Sequence, residues 1–572
     1  MNEPAKKHQV IRIGDILVEQ GLISAEQLQF ALNEQRRSGR RLGRVLIDHN
    51  YVTDEQIAGA LAKQLNLPFV NLKAFNLKST AARQLPEIQA RRFRALVLED
   101  RGETVLVGMV DPSDLFAYDE LARLLRRDME LAVITEDQFL QAVDLMYRKT
   151  EEITDLTKEL EQEVGTVVDF GLLAASPALE EAPVVKLLQS IFEDAMQVRA
   201  SDIHIEPQEG QLQVRFRIDG VLHLQTRADI KIASAMIVRL KLMSGLDISE
   251  KRLPQDGRFN AKLRQQQVVD VRISTLPTQY GESVVMRLLS KKGSILDLDS
   301  IGMPAEMLER YKRIVNQPNG IILVTGPTGS GKTTTLYATL AELNSPELKI
   351  ITVEDPVEYR LAGINQVQVV EKIELTFSRV LRSILRQDPD IILVGEIRDS
   401  ETAEIALRAA MTGHLMLSTL HTNSAASTPV RLLDIGIPTY MLASSLLAIL
   451  AQRLVRKICD GCAEPYQPTP LERAWLADEL GEEQVARHTF SRGRGCNHCN
   501  STGYRGRIPV YEMLEVTPSA AEALHHFEPL EFDRVAREQM GRGTLRGHST
   551  DLVLAGKTTI SEAMRISSQL DE

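Results

Sequence analysis

The sequence predicts a multidomain α/β protein built around a parallel sheet, and three observations carry that prediction. A phosphate-loop pattern, Gly326-Pro327-Thr328-Gly329-Ser330-Gly331-Lys332-Thr333, lies between four apolar residues, 321–324, and a helix-compatible run, 334–343. Short apolar runs at 350–353, 391–394 and 415–418 alternate with helical patterns, as in a sheet covered on both faces. The length of 572 residues has room for about four domains.

In chain order, the first element is an internal repeat. Arg12, Gly14, Leu17, Leu28, Leu32 and Gln35 recur 29 residues later as Arg41, Gly43, Leu46, Ile57, Leu61 and Gln64, with Leu42 in place of Ile13. Ser24 and Thr53 open the helical part of each copy, and Gln27 and Gln56 complete capping boxes. Core leucines explain the periodicity but not the Arg-x-Gly and Gln positions. Residues 67–146 read as a small α/β unit, with β-rich runs in 97–110 and a helix over 137–147. The acidic stretch 151–163 and the mixed residues to 183 read as a flexible linker. Residues 184–289 alternate helix (184–196, 232–246) with strand (211–218, 268–274, 284–289).

Composition bounds the function. The chain is 43% hydrophobic and 25% charged with a net charge of −11, so non-specific nucleic-acid binding is not expected as the main activity. Residues 1–10 have no signal-like apolar core, and no apolar run reaches 18 residues. The best candidate, 441–450, is short and is followed by Arg453 and Arg456. A cytoplasmic protein, peripheral to the membrane, is expected.

The phosphate loop specifies ATP chemistry. Its glycines let backbone N–H groups converge on phosphate oxygens, and Thr334 continues the helix whose N-terminus favours anions. Lys332 would reach the β- and γ-phosphates, and Thr333 would ligate Mg²⁺. Two acidic clusters follow later strands: Glu354 and Asp355 in the first, Glu396, Arg398 and Asp399 in the second. They would project at the C-terminal sheet edge, where ligands bind in open α/β folds. In the second, Gly395 separates the apolar strand from Glu396, a departure from the usual Asp ending the strand. A histidine-containing stretch runs from His414 to His421, where His421 closes an apolar run and would sense the γ-phosphate.

These blocks, in this order, resemble the ATPases of type II secretion and type IV pilus assembly. The resemblance extends upstream to Ser201–Pro207, Arg215–Gly220, Arg252–Arg258 and Leu276–Glu282. It implies a RecA-like ATPase core preceded by a smaller PAS-like α/β domain. It also implies a homohexamer with arginines acting across the cleft between the two domains. Arg215, Arg217 and Arg398 match by motif, as do Arg382 and Arg386. Glu354 is expected as the water-activating base and Glu396 as the Mg²⁺-side acid, and the two roles are exchangeable on sequence alone. An inner-membrane platform protein is the implied partner.

All four cysteines form C-x₂-C pairs, Cys459/Cys462 and Cys496/Cys499, the pattern of a closed structural Zn²⁺ site. His498 is a bystander in that reading. The site resembles the zinc insert of the same family, whose role there is often ascribed to partner contact. The N-terminal repeat resembles the tandem motif of MshEN domains, which bind cyclic di-GMP, with Ile13 and Ile57 as conservative departures. Its arginines would meet guanine acceptors or phosphate, its glutamines polar edges, and its leucines the flat bases. Within the family the chain most resembles MSHA-type pilus extension ATPases. The expected domains are an MshEN-like domain over 1–150, the linker over 151–183 and the ATPase-associated domain over 184–295. The RecA-like core over 296–456, the tetracysteine subdomain over 457–512 and a helical region over 513–572 complete them. Pilus retraction ATPases, a nucleic-acid-translocating motor and a non-catalytic nucleotide sensor are the alternatives.

Overall fold

The computed structural model describes residues 13–38, 42–75, 77–147, 153, 156–157, 160, 183–263, 268–289 and 297–567. It divides into two units. The first comprises Met1–Leu289, Cys459–Cys462 and Arg494–Gly503; the second comprises Ser290–Ile458, Ala463–Gly493 and Tyr504–Glu572.

The first unit opens with the repeat as two helix pairs: α1 (Ile13–Glu19) and α2 (Ala25–Ser38), then α3 (Leu42–Asp48) and α4 (Asp54–Leu65). The duplication is physical. A Cβ on Gly14 would lie 2.7 Å from Leu28, and one on Gly43 would lie 3.2 Å from Ile57, so equivalent glycines admit equivalent apolar side chains. Both capping boxes form, with Ser24 Oγ accepting from Gln27 N and Thr53 Oγ1 from Gln56 N. Next come α5 (Ser79–Ala82), α6 (Glu87–Phe93), β1 (Ala95–Asp100), β2 (Thr104–Met109), α7 (Leu115–Leu125), β3 (Asp128–Val133) and α8 (Glu136–Met146). Strand β1 pairs antiparallel with β2, and β2 pairs parallel with β3.

Few residues of the expected linker are described. Ile153 and Leu160 are helical and buried in the hydrophobic core of the next domain. At those positions the chain is anchored, where the sequence reads a flexible linker. That domain consists of α9 (Pro183–Gln197), β4 (Asp202–Gln208), β5 (Gln211–Ile218), β6 (Val221–Asp229), α10 (Ala233–Met243), β7 (Gln255–Lys262), β8 (Val268–Thr278) and β9 (Gly281–Leu289). Its six-stranded sheet, order β6-β5-β4-β9-β8-β7, is antiparallel throughout. Alternating burial along β5 and β8 places one apolar face against α9 and α10, the pattern of a sheet with one covered side.

The second unit contains α11 (Ala305–Val315), β10 (Gly320–Thr325), α12 (Lys332–Leu343), β11 (Ile350–Glu354), β12 (Asn365–Gln368), α13 (Phe377–Ile384), β13 (Ile391–Val394), α14 (Ser400–Met411) and β14 (Leu415–Leu420). It continues with α15 (Thr428–Asp434), α16 (Thr439–Ser445) and β15 (Leu446–Ile458), then β16 (Ala463–Tyr466), α17 (Pro470–Leu480), α18 (Glu482–Arg487), β17 (Phe490–Gly493) and β18 (Tyr504–Glu515). Helices α19 (Pro518–His525), α20 (Pro529–Met540), α21 (Leu545–Leu554) and α22 (Ile560–Ser567) close it. The sheet order is β12-β11-β13-β14-β10-β15-β18, parallel except for the β15–β18 pair. Every residue of β10, β11, β13 and β14 is buried, and a separate hydrophobic cluster covers each face. The apolar stretch 441–450 divides between α16 and β15, and no helix among the described residues is long and apolar enough to cross a membrane.

Candidate functional site

The site is built at the C-terminal ends of four adjacent parallel strands. Strand β10 delivers the phosphate loop, and Gly326, Gly329 and Gly331 take φ values of 142°, 80° and 91°. Gly331 is the N-cap of α12, and a Cβ there would lie 2.8 Å from Gln452 Nε2. A Cβ on Gly326 would lie 2.4 Å from the Gln452 carbonyl oxygen. Only glycine fits either position. The buried hydroxyls of Ser330 and Thr325 have no hydrogen-bond partner among the described residues, whereas Thr333 and Thr334 are exposed at the helix start. Lys332 Nζ folds back to donate to the carbonyls of Gly326, 2.7 Å, and Pro327, 3.1 Å. Burial holds its ammonium down to about 8, against the stabilising charge of Glu396. A partly desolvated cation on a ring of backbone amides, beside unsatisfied hydroxyls, suits a polyphosphate.

Strand β11 ends at Glu354, which is 4% exposed and accepts three hydrogen bonds. Thr352 Oγ1 donates to its Oε1 at 2.6 Å, Gln366 Nε2 donates to the same oxygen at 3.2 Å, and Tyr337 donates to Oε2. Burial, then the Glu354 carboxylate, raise the Tyr337 phenol, keeping it a donor. Strand β13 ends at Val394. Gly395 then crosses its neighbour so closely that a Cβ would be 3.3 Å from Glu354 Cα and from Val353 O. That contact accounts for the glycine that interrupts the expected acidic motif. Glu396 accepts from Arg398 Nη2 at 2.5 Å, and His421, after β14, lies 3.7 Å from its other oxygen. Burial, then the charge of Lys332, hold His421 below its ordinary range and favour neutral imidazole at pH 7. The structure thus brings together Lys332, Glu354, Glu396, Arg398 and His421. His414 is apart from them, its Nδ1 paired with the Ala409 carbonyl at 3.0 Å.

The remaining arginines pair locally. Arg215 Nε and Nη2 both reach Glu206 Oε2, at 2.7 and 2.5 Å. Arg217 Nη1 donates to Gly220 O at 3.0 Å and its Nε lies 3.7 Å from Asp202. Arg382 pairs with Glu401 at 2.6 Å, and Arg386 donates to the Arg382 carbonyl at 2.8 Å. Sequence reasoning missed Gln452 and Arg453, which underlie the loop. Arg453 is 2% exposed and donates to the Asn423 carbonyl at 2.7 Å. Its one sequence signal is a charge inside the largely apolar run of β15.

The four cysteine sulfurs all lie within 4.8 Å of one another. Cys459–Cys496 and Cys462–Cys499 are 3.8 Å apart and Cys496–Cys499 is 3.7 Å, close to the roughly 3.8 Å edge of a tetrahedron with Zn–S of about 2.3 Å. Backbone N–H groups of Gly495 and Gly503 donate to Cys462 and Cys499 Sγ at 3.3 and 3.2 Å. The hydrogen bond with Cys499 and burial raise the Cys459 thiol well above its usual range, and burial pushes Cys462 up to about 11. Four thiolates therefore need a cation, and this donor set fits Zn²⁺.

In the N-terminal repeat, Arg12 and Arg41 lie outside the described residues. Leu17 and Leu46 are fully buried core residues, whereas Leu28, Leu32, Gln35, Leu42, Ile57, Leu61 and Gln64 are partly exposed. Gly14 and Gly43 are occupied by the helix packing described above.

Comparison with known proteins adds two family matches. The type II/IV secretion system protein family matches residues 177–565 and the MshEN domain matches residues 65–153, so the duplicated motifs precede the latter match. The type IV pilus assembly ATPase PilB of Myxococcus xanthus is 40% identical over 97% of this chain and 98% of its own. The type II secretion system protein E of Dickeya dadantii is 43% identical over 85% of this chain and 97% of its own. The solved ATPase DotB of Legionella pneumophila is 20% identical, with a TM-score of 0.50 over 67% of this chain and 95% of that one, a likeness of fold alone.

Proposed function

Because this chain belongs to the type II/IV secretion system protein family and is an ATPase, we propose that it powers extension of a type IV pilus. ATP hydrolysis would move subunits of a homohexamer against an inner-membrane platform protein from the cytoplasmic side. Assembly of a type II secretion pseudopilus is the second reading. Coverage favours the first, since the pilus assembly relative aligns over 97% of the chain against 85% for the secretion relative.

The observation that carries the proposal is the convergence of the loop, Glu354, Glu396 and His421 on adjacent strand ends of one sheet. Lys332 would exchange its two loop carbonyls for the β- and γ-phosphates, and the amides of the loop would hold the same oxygens. Thr333 and Glu396 would hold Mg²⁺, which when bound neutralises charge on the β- and γ-oxygens. Glu354, fixed by Thr352, Gln366 and Tyr337, would orient the attacking water and accept its proton. His421 would report the γ-phosphate to the strand it ends. Arg215 and Arg217 would supply planar cations, which suit the transferred phosphoryl group. The cysteines would hold a structural Zn²⁺. The partly exposed repeat residues, with Arg12 and Arg41, would hold cyclic di-GMP and so regulate the motor.

Lys332→Ala should lower ATP turnover by at least about 10²-fold in a phosphate-release assay, since a preorganised charge at the transferred group is removed. Unchanged turnover would refute the site. Calorimetric titration of cyclic di-GMP should give heat with the intact protein and none with Arg12→Ala. No heat with the intact protein rules out the sensor.

A further inference from the structure

The tetracysteine knuckles interrupt the second unit in sequence, between the end of β15 and the start of β18, yet in space they group with the first unit. What they touch there is the N-terminal domain. The 3₁₀ turn Asn497–Cys499 packs on α8, and His498 Nε2 lies 3.0 Å from Gln141 Oε1. The His498 side chain is only 6% exposed although four thiols already make a complete ligand set. Asp460 lies 3.7 Å from Lys73, and a Cβ on Gly461 would come within 2.8 Å of Lys73 Cβ and 3.1 Å of its carbonyl oxygen. Leu72, Leu77, Ala142 and Met146 line the same junction.

We propose that the tetracysteine module is a metal-dependent docking surface whose partner is the N-terminal domain of the same chain. Cys459–Cys462 and Arg494–Gly503 contain no strand and only a single helical turn. Besides the four sulfurs, two backbone hydrogen bonds, Arg494 N to Cys462 O and Cys459 N to Gly503 O at 2.9 Å each, and a 3.5 Å contact between His498 and Asp460 join the two knuckles, so ion binding at the sulfurs completes the shape that meets Lys73 and Gln141. The contact also reaches the repeat helices. Gln138, 3% exposed, accepts from Leu72 N at 2.8 Å and donates to Glu55 of α4 at 2.8 Å. Helix α4 carries Ile57, Leu61 and Gln64, so the Leu72–Lys73 segment that meets Gly461 and the second repeat share one buried amide.

The metal half of this proposal rests on the zinc reading above; the docking half does not. Hydrogen exchange on the full chain separates them. Zinc content is measured on each sample, and exchange is followed in 66–75 and 136–147, with β8 and β9 as the internal reference. Gly461→Leu, with zinc retained, should accelerate exchange in both segments by about fivefold or more, the ratio that roughly 1 kcal/mol of lost contact produces. Stripping zinc with a chelator should do the same. Gln141→Leu, remote from the cysteines, should act in the same direction and decides the matter if Gly461→Leu loses its metal or its fold. Wild-type exchange in both zinc-loaded variants overturns the docking. Acceleration in the variants but not in stripped protein overturns its dependence on metal.

Discussion

Lys332 shows how one side chain's surroundings set a measurable property of the site. Its nitrogen is partly removed from water and answered by two carbonyls, with the charge of Glu396 stabilising it. Before nucleotide binds it therefore loses its proton above a pH of about 8. Phosphate favours the ammonium, so binding takes up a proton once the free group is neutral. Nucleotide affinity should then fall as pH rises above 8, and Lys332→Arg, which stays charged, should flatten that fall. Titrations of a nucleotide analogue across this range check the sign; affinity independent of pH in the wild type would contradict it. The motif identifies Lys332 and the glycines directly from sequence. Gln452 and Arg453 are not legible there, because a residue 120 positions from the loop becomes its floor only when β15 pairs with β10.

At the scale of elements, the acidic strand ends depend on spacing between strands. Strands β11 and β13 are hydrogen-bonded neighbours, and Gly395 N donates to Val353 O at 2.7 Å as the chain leaves the sheet. A side chain there would push against Glu354 Cα. Gly395→Val should therefore cost about 1–3 kcal/mol of stability and displace both carboxylates. In steady-state kinetics kcat should fall more than KM rises, because loop contacts to the bound nucleotide are untouched; equal kcat would show that the close approach is dispensable. The helix starts at Ser24 and Thr53 and the parallel strands were readable, since capping boxes and fully buried apolar runs are local signals. Strands β4, β6 and β7 were not, because mixed polar patterns on a one-sided sheet carry weak periodicity, and the antiparallel β15–β18 edge needs partners about sixty residues apart.

For the whole molecule, the cysteine module carries the prediction. The protein should contain about one zinc per chain, and Cys462→Ser should release it and lower the melting temperature of the first unit by several degrees, on the order of 2–8 °C. Elemental analysis and a calorimetric scan test both; full zinc occupancy in the variant would exclude Cys462 as a ligand. The two C-x₂-C pairs were plain in the sequence, but the insert does not behave as one subdomain. Leu476, Val485 and Phe490 join a cluster with Val553 and Ile560, while the cysteine knuckles group with the first unit. The sequence also reads 151–183 as a linker, yet Ile153 and Leu160 are buried in the core that α9 shares.

From sequence alone came the phosphate loop, the paired cysteines, the duplicated helix pairs and the alternation that makes the ATPase sheet parallel. Each is written in neighbouring residues, where steric freedom, capping and periodicity act over a few positions. The tertiary structure alone decided that Tyr337 and Gln366 hold Glu354, that Gln452 lies under the loop, and that His498 faces Gln141. Those contacts join residues far apart in the chain, and only the packing of strands and helices brings them within hydrogen-bonding distance.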